Sequence, residues 1–133
     1  MKKLITLISL SVLLIGCHSK EASSFELKGE IVKISISESK GFYEINPNFF
    51  IELKDDYAIE IITKAITTAE KQAGSVDMAE PEYDMRVFYD HGKKHDFHLW
   101  IEEETTLMEL ENTETTYSIS PEMTKTLHNL ISK

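Results

Sequence analysis

The sequence predicts a small α+β domain in which an antiparallel sheet of about five to six strands carries two helices. Hydrophobic patterning gives the order of elements as one or two strands, a helix, four strands and a closing helix. Runs of strands with the helices set apart are typical of the α+β class. The length of 133 residues fits one such domain.

The strand signals come first along the domain. Residues 30–39 alternate Ile with Lys and Ser and are rich in β-branched side chains, which predicts a strand. A turn is expected at Lys40-Gly41. Residues 42–53 then predict a second short strand, or one that is interrupted at Pro47.

An amphipathic helix follows, and either Asp55 or Asp56 can cap it. Apolar residues recur there with helical spacing: Ala58, Ile61, Ile62, Ala65, Ile66 and Ala69. The pattern predicts that this helix ends near Ala73-Gly74, where Gly74 can adopt the left-handed conformation that often ends a helix.

The carboxy-terminal half predicts four strands and a helix. Residues 83–90 and 95–102 both alternate in polarity around a turn that contains Gly92, which indicates a β-hairpin. Two further strands are expected around a turn at Asn112-Thr113. The closing helix is expected to begin at Ser120-Pro121-Glu122, which supplies an N-cap, a first-turn proline and an acidic residue.

The amino-terminal segment predicts an export signal and not a membrane span. Lys2 and Lys3 precede an apolar stretch from Leu4 to Ile15, whereas a membrane-spanning helix needs roughly 20 residues. Gly16 and Cys17 complete Leu-Ile-Gly-Cys, which resembles the bacterial lipobox. The resemblance implies cleavage between Gly16 and Cys17 and acylation of the Cys17 sulfur. We therefore assign residues 1–16 to the signal peptide, 17–24 to the lipidated cysteine and linker, and 25–133 to the domain.

A lipidated Cys17 predicts a location on the extracytoplasmic face of the cell membrane. Two acyl chains anchor a protein durably where one would not. The linker of residues 18–24 is polar and reaches at most about 25 Å, so the domain is expected to stay close to the bilayer. As the only cysteine, Cys17 cannot form an internal disulfide, and acylation leaves no thiol for catalysis.

Charge and composition narrow the expected partners. The formal net charge is −9, and an acidic surface repels nucleic-acid phosphates, so no nucleic-acid partner is expected. The expected partners are the membrane, through the lipid anchor, and another protein of the cell envelope.

The histidines near the predicted hairpin do not predict a metal site. His98 lies three positions after His95, and an odd spacing should point the two side chains to opposite faces of a strand. His91 falls in the turn. Neither a metal nor another cofactor is expected.

The outer face of the hairpin is the predicted binding surface. Phe88, His98 and Trp100 would stand there among charged residues, and aromatic side chains are favoured at binding surfaces. The alternative is that these three side chains cover a second small core. The sequence leaves both interpretations open.

No catalytic constellation is visible in the sequence, so a non-enzymatic binding or accessory module is the preferred function. The serines lack the G-x-S-x-G context of a nucleophile elbow, and no glycine-rich phosphate loop is present. The alternative is a cell-envelope enzyme, or an enzyme inhibitor that uses the hairpin of residues 83–102.

Three stretches resemble a known family: "HLWI" at 98–101, "ENTETTYSIS" at 111–120 and "PEMTKTLHNLI" at 121–131. They are similar to the YhfM-like family of small lipoproteins from Bacillus-type bacteria. The resemblance implies a lipoprotein domain without an established activity, and it brings no catalytic residue to this chain.

Overall fold

The computed structural model describes residues 25–73 and 77–132. Its helices and strands are β1 (Ile31–Glu38), β2 (Ile51–Leu53), α1 (Asp56–Thr68), β3 (Glu70–Lys71), β4 (Tyr83–Tyr89), β5 (Lys94–Ile101), β6 (Thr105–Glu109), β7 (Asn112–Ile119) and α2 (Pro121–Ile131). The predicted signal peptide, Gly16 and Cys17 lie outside the described residues.

The strands form one sheet in the order β2-β1-β4-β5-β6-β7-β3, and all neighbouring strands are antiparallel. The α+β class with an antiparallel sheet and two helices is confirmed. In the part of the chain that the structure describes, the sheet has seven strands, slightly more than the five to six expected. The two-residue strand β3 had no signal of its own in the sequence.

Both helices pack on one face of this sheet and bury its apolar side chains. The core contributed by the central strands comprises Ile34, Ile36, Met85, Val87, Phe97, Leu99, Leu107 and Ile119. From α1 and α2 it comprises Ala58, Ile62, Ala65, Ile66, Leu127, Leu130 and Ile131. Each fully buried large aliphatic side chain stabilises the fold by about 1.5–3 kcal/mol, so this face holds the domain together.

Helix α1 is shorter than the sequence predicted. Asp55 caps it by accepting a hydrogen bond from the Ala58 amide at 3.0 Å, but the helix ends at Thr68 and not near Ala73-Gly74. The next residue, Ala69, adopts an extended backbone and its side chain is buried. Glu70 and Lys71 then pair with β7, so sheet formation stops the helix early. Gly74 lies outside the described residues.

The second predicted strand is also mostly absent. Only Ile51–Leu53 pairs with β1. Residues 39–50 instead form an irregular segment that we call the strap, and its residues 42–49 lie across the face of the sheet opposite the helices. The turn between β6 and β7 falls at Leu110-Glu111, just before the predicted Asn112-Thr113, because the register of the two strands shifts between Met108 and Glu109.

The closing helix begins as predicted. Ser120 caps α2 by accepting a hydrogen bond from the Met123 amide at 3.2 Å, and Pro121 is its first residue. Thr124 accepts a hydrogen bond from the buried Thr105 amide at 2.9 Å, which ties α2 to β6. In residues 25–73 and 77–132 no helix is both long and apolar enough to cross a membrane.

Candidate functional site

The face of the sheet opposite the helices carries polar side chains in cross-strand rows. The register of β1, β4 and β5 aligns Ser37 with Asp84 and His98 in one row. The next row aligns Ser35, Arg86 and Asp96. Side chains directly opposite one another on antiparallel strands lie close enough to interact, so each row brings opposite charges together.

Asp84 and His98 form an ion pair that is completely buried. Both side chains are 0% exposed, and the His98 Nδ1–H donates to Asp84 Oδ1 at 2.7 Å. The second carboxylate oxygen of Asp84 accepts the backbone N–H of Asn46 at 2.7 Å. A buried charge is tolerated only when it is paired and hydrogen-bonded, and both conditions are met here.

The partners of His98 require a protonated ring. Its Nε2 lies 3.0 Å from the carbonyl oxygen of Phe42, and its Nδ1 faces the Asp84 carboxylate. Neither partner can donate, so both ring nitrogens must carry hydrogens. Burial alone would lower the pKa of His98, but the bonds to Asp84 and Phe42 and the charges of Asp84 and Asp96 outweigh it. The pKa is therefore raised above the ordinary value of 6.5.

The strap is fastened to this ion pair at two points. The carbonyl of Phe42 accepts from His98, and the amide of Asn46 donates to Asp84. Asn46 is fixed further, because its carbonyl accepts from the Ser37 hydroxyl at 2.7 Å and its side-chain amide donates to the Glu38 carbonyl at 2.8 Å. These bonds hold the strap against the sheet at Phe42 and at Asn46.

The strap also covers Trp100. The ring of Phe42 lies 6.0 Å from the Trp100 ring and 6.2 Å from the His98 ring, measured between centroids. The indole N–H of Trp100 donates to the carbonyl of Ala79 at 2.9 Å, so a second connecting segment closes over it. Trp100 is only 5% exposed as a result.

The structure corrects the expected exposure of the predicted binding surface. His98 and Trp100 are buried under the strap, and only Phe88 is partly exposed. The ammonium group of Lys33 lies 4.1 Å from the centre of the Phe88 ring. The alternative interpretation, a second small core, describes this face better. A partner could reach His98 and Trp100 only if the strap moved.

The row of Ser37, Asp84 and His98 contains the residue types of a hydrolase triad but in the wrong order. Asp84 lies between the other two, and neighbouring strands are about 4.8 Å apart, so Ser37 and His98 are separated by about 10 Å. The Ser37 hydroxyl donates to the Asn46 carbonyl and not to an imidazole. In this arrangement His98 cannot act as a general base for Ser37.

Arg86 and Asp96 form the second charge pair on this face. Two parallel bonds join them, Nε to Oδ1 at 2.8 Å and Nη2 to Oδ2 at 3.1 Å. This bidentate geometry is the strongest that a guanidinium and a carboxylate can adopt. Both side chains keep slightly less than a fifth of their surface exposed, so solvent screens this pair more than the Asp84–His98 pair.

A second polar cluster lies at the tip of the β4–β5 hairpin, on the other face of the sheet, and sequence reasoning missed its partners Tyr89 and Glu109. The Tyr89 hydroxyl lies 3.1 Å from His95 Nδ1, and His95 Nε2 lies 2.8 Å from a carboxylate oxygen of Glu109. A neutral ring satisfies both contacts, since Tyr89 can donate to Nδ1 while Nε2–H donates to Glu109. Burial raises the pKa of Tyr89, so its hydroxyl stays protonated as a donor.

This second cluster holds the segment that leads into β1. The Phe25 ring is buried and packs 4.9 Å from the His95 ring and 5.1 Å from the Phe97 ring. His91 Nε2 lies 3.0 Å from the Lys28 carbonyl. A Cβ atom at Gly29 would come within 2.8 Å of His91 Nε2, so a side chain there would displace the exposed His91 ring from this position. The cluster therefore attaches the amino-terminal end of the domain to the hairpin.

A pocket of about 490 Å³ opens beside the Tyr89–His95 cluster, and its rim carries both signs of charge. Lys28, Lys93, Lys94 and Glu111 are among the residues that line it, and so is Asp96, whose carboxylate is bonded to Arg86 on the opposite face of the sheet. Such a mixed rim favours neither an anionic nor a cationic ligand.

The three clustered histidines are separated in space as their spacing predicted. His98 lies under the strap, His95 lies on the helix-bearing face, and His91 lies in the hairpin turn. Within residues 25–73 and 77–132, no group of three or more His, Cys, Asp or Glu side chains is placed to hold a metal ion.

Exposed aromatic side chains lie elsewhere than predicted. Tyr43, at the outer side of the strap, is 97% exposed, and Phe50 at the end of the strap is half exposed. Tyr57 in the first turn of α1 is 68% exposed. Of these, Tyr43 and Phe50 belong to the same segment that covers His98 and Trp100.

A protein-family model described as YhfM protein matches residues 28–133. The chain belongs to the YhfM protein family. The match begins just after Phe25 and includes both charge pairs, the strap and α2, so the YhfM family model covers nearly all of the described domain. Neither the search of curated proteins nor the search of solved structures gave a match.

Proposed function

We propose that this YhfM-family protein is a lipid-anchored, non-enzymatic binding module on the extracytoplasmic face of the cell membrane, and that its partner is another envelope protein. The observation that carries the proposal is the sequence from Leu13 to Cys17 after a basic start and an apolar stretch. An acylated Cys17 would supply the anchor, and two acyl chains suffice for durable attachment.

The attachment of Phe25 supports a short tether. Because Phe25 is buried against His95 and Phe97, the folded domain begins directly after the linker of residues 18–24. A seven-residue linker reaches at most about 25 Å, so the hairpin tip would be the end of the domain nearest the bilayer.

The strap lies toward the other end of the strands, which favours it as the surface that meets a partner. Phe25 contacts the start of β5 at His95, whereas Phe42 contacts its far end at Trp100. These two positions are about 17 Å apart along an extended strand. Tyr43, almost fully exposed on the strap, is an aromatic side chain that contributes little to the packing of the domain. Aromatic residues of this kind are enriched where proteins bind one another.

Mass spectrometry of the amino-terminal peptide tests the anchor. The expected peptide begins at Cys17 and carries a diacylglyceryl group, and the Cys17→Ser variant should keep its leader and lack the lipid. An unmodified Cys17 with residues 1–16 still attached would refute the anchor.

Site-specific photocrosslinking in intact membranes tests the binding surface separately. A photoreactive residue at position 43 is expected to form one defined adduct with an envelope protein. The matched control places the same residue at position 57, which is also exposed but lies on α1. Equal labelling from both positions, or none from position 43, would argue against the strap as the binding surface.

A further inference from the structure

Gly41 lies near the start of the strap, next to the first residue that contacts the ion pair. Gly41 has φ +128°, a conformation that residues with side chains rarely adopt, and no atom lies within 4 Å of where its Cβ would be. The next residue, Phe42, makes the hydrogen bond to His98 and covers Trp100. Gly41 therefore gives the chain the conformational freedom of glycine next to Phe42. In the structure the Gly41 amide donates to the Ser39 hydroxyl at 3.2 Å, and the Gly41 carbonyl accepts from it at 3.3 Å.

The two fastenings of the strap respond differently to the proton on His98. The bond from His98 Nε2–H to the Phe42 carbonyl exists only when the ring is doubly protonated. After the loss of that proton, the Nε2 lone pair would face the carbonyl oxygen and repel it. The bond from the Asn46 amide to Asp84 does not need the His98 proton, since the carboxylate remains an acceptor.

We propose that the strap is a proton-controlled cover: protonated His98 holds Phe42 over Trp100, and neutral His98 releases the Phe42 end while Asn46 stays attached. The released state would expose the side of Trp100 that Phe42 covers and one edge of the Asp84–His98 pair, while the bond from Trp100 to the Ala79 carbonyl stays in place. The proposal is independent of the lipid anchor, because it rests only on residues within the folded domain.

The charged groups around His98 determine whether the strap is released at low or at high pH. Asp84 on β4 and Asp96 on β5 are the carboxylates that act on it, and Arg86 neutralises part of the Asp96 charge. The strap contributes the uncharged groups of Phe42 and Asn46 to this pair, and Met108 on β6 lies opposite His98. Because both acting charges are negative and favour the protonated ring, the closed state is retained below the raised pKa of His98, and release occurs as the pH rises through that pKa.

Trp100 is the only tryptophan in the chain, so it reports the position of the strap directly. The accessibility of Trp100 to acrylamide should be measured in the full-length protein from about pH 5 to about pH 9, which spans the titration range of histidine. Acrylamide accessibility is preferred to intensity, since an imidazolium ring itself quenches tryptophan. We expect a several-fold rise in the quenching constant on the alkaline side, with unchanged far-ultraviolet circular dichroism.

Three variants distinguish movement of the strap from other causes of a change in Trp100 accessibility. Phe42→Ala should give high accessibility at every pH, and His98→Gln should show no transition. His128→Gln, which removes an exposed histidine of α2, should behave as the unmodified protein.

A measurement on the unmodified protein keeps the test valid even if His98→Gln fails to fold. The midpoint of the Trp100 transition should coincide with the titration of the His98 ring protons followed by nuclear magnetic resonance. A flat accessibility over the whole range would overturn the proposal. So would a transition that follows another histidine, or one that coincides with loss of secondary structure.

Discussion

Replacement of Asp84 by asparagine should destabilise the domain far more than its single-atom change implies. The Asp84 carboxylate accepts two bonds of 2.7 Å, one from His98 and one from Asn46. An amide in its place can accept only one of them and turns an N–H donor toward the other. His98 must then either stay charged without a counter-ion or give up its Nδ1 proton, and in both cases the ion pair is lost. Loss of one partner from a buried ion pair costs about 3–5 kcal/mol, a large part of the 5–15 kcal/mol that stabilises a typical domain.

Urea unfolding followed by circular dichroism at neutral pH measures this cost. The matched control is Asp96→Asn, which breaks the more exposed pair with Arg86 and should cost about 1 kcal/mol. The double variant Asp84→Asn/His98→Gln should lose less than the sum of the single losses, because the two residues share one interaction. If Asp84→Asn is no more costly than Asp96→Asn, the role assigned to the buried pair is wrong.

Three further outcomes follow from the structure. Phe25→Ala should lower the free energy of unfolding by about 3–5 kcal/mol in urea titrations, since it leaves a cavity at a buried position at the start of the domain. A loss below about 1 kcal/mol would mean that this segment is not part of the fold. Thr124→Val should lower the free energy of unfolding by about 1–3 kcal/mol because it leaves the buried Thr105 amide without an acceptor. Thr126→Val on the same helix should change it by no more than about 0.5 kcal/mol. Equal effects of the two variants would exclude the Thr105–Thr124 bond as the cause. The raised pKa of His98 means that the contribution of His98 to stability is complete below the ordinary value of 6.5 and is lost as pH rises through the folded-state pKa. The urea midpoint of unfolding should therefore fall on the alkaline side. A rise of the midpoint there would contradict the assignment.

The register of the β4–β5 hairpin, and with it the pairing of charges across the two strands, can be derived from the sequence. Tyr89 and Lys93 close a turn whose last residue is Gly92, with φ +86°. Counting outward from that turn places Asp84 opposite His98, as the structure shows. Local turn chemistry therefore fixes which charges meet across β4 and β5.

The strap could not be predicted in the same way. Residues 42–45 have the aromatic and β-branched composition of a strand, and this favoured a strand there. What decides their conformation is the bond between Asn46 and Asp84, which are 38 residues apart. The pairing of β3 with β7 is similarly remote, and it ends α1 at Thr68. Contacts of such separation leave no periodic signal in a single sequence.

The contrast between the local hairpin register and remote contacts also explains why the predicted binding surface is covered. Alternating charged residues on β4 and β5 normally indicate a face that is in contact with water. Here the register places opposite charges directly across from each other, so Asp84 and His98 neutralise one another and can be buried under the strap. Because the strap covers Trp100 as well, the aromatic side chain that the closed domain offers to a partner at this end is Tyr43. A partner that binds Tyr43 would contact the segment whose position depends on His98, so binding and strap position should be coupled in both directions.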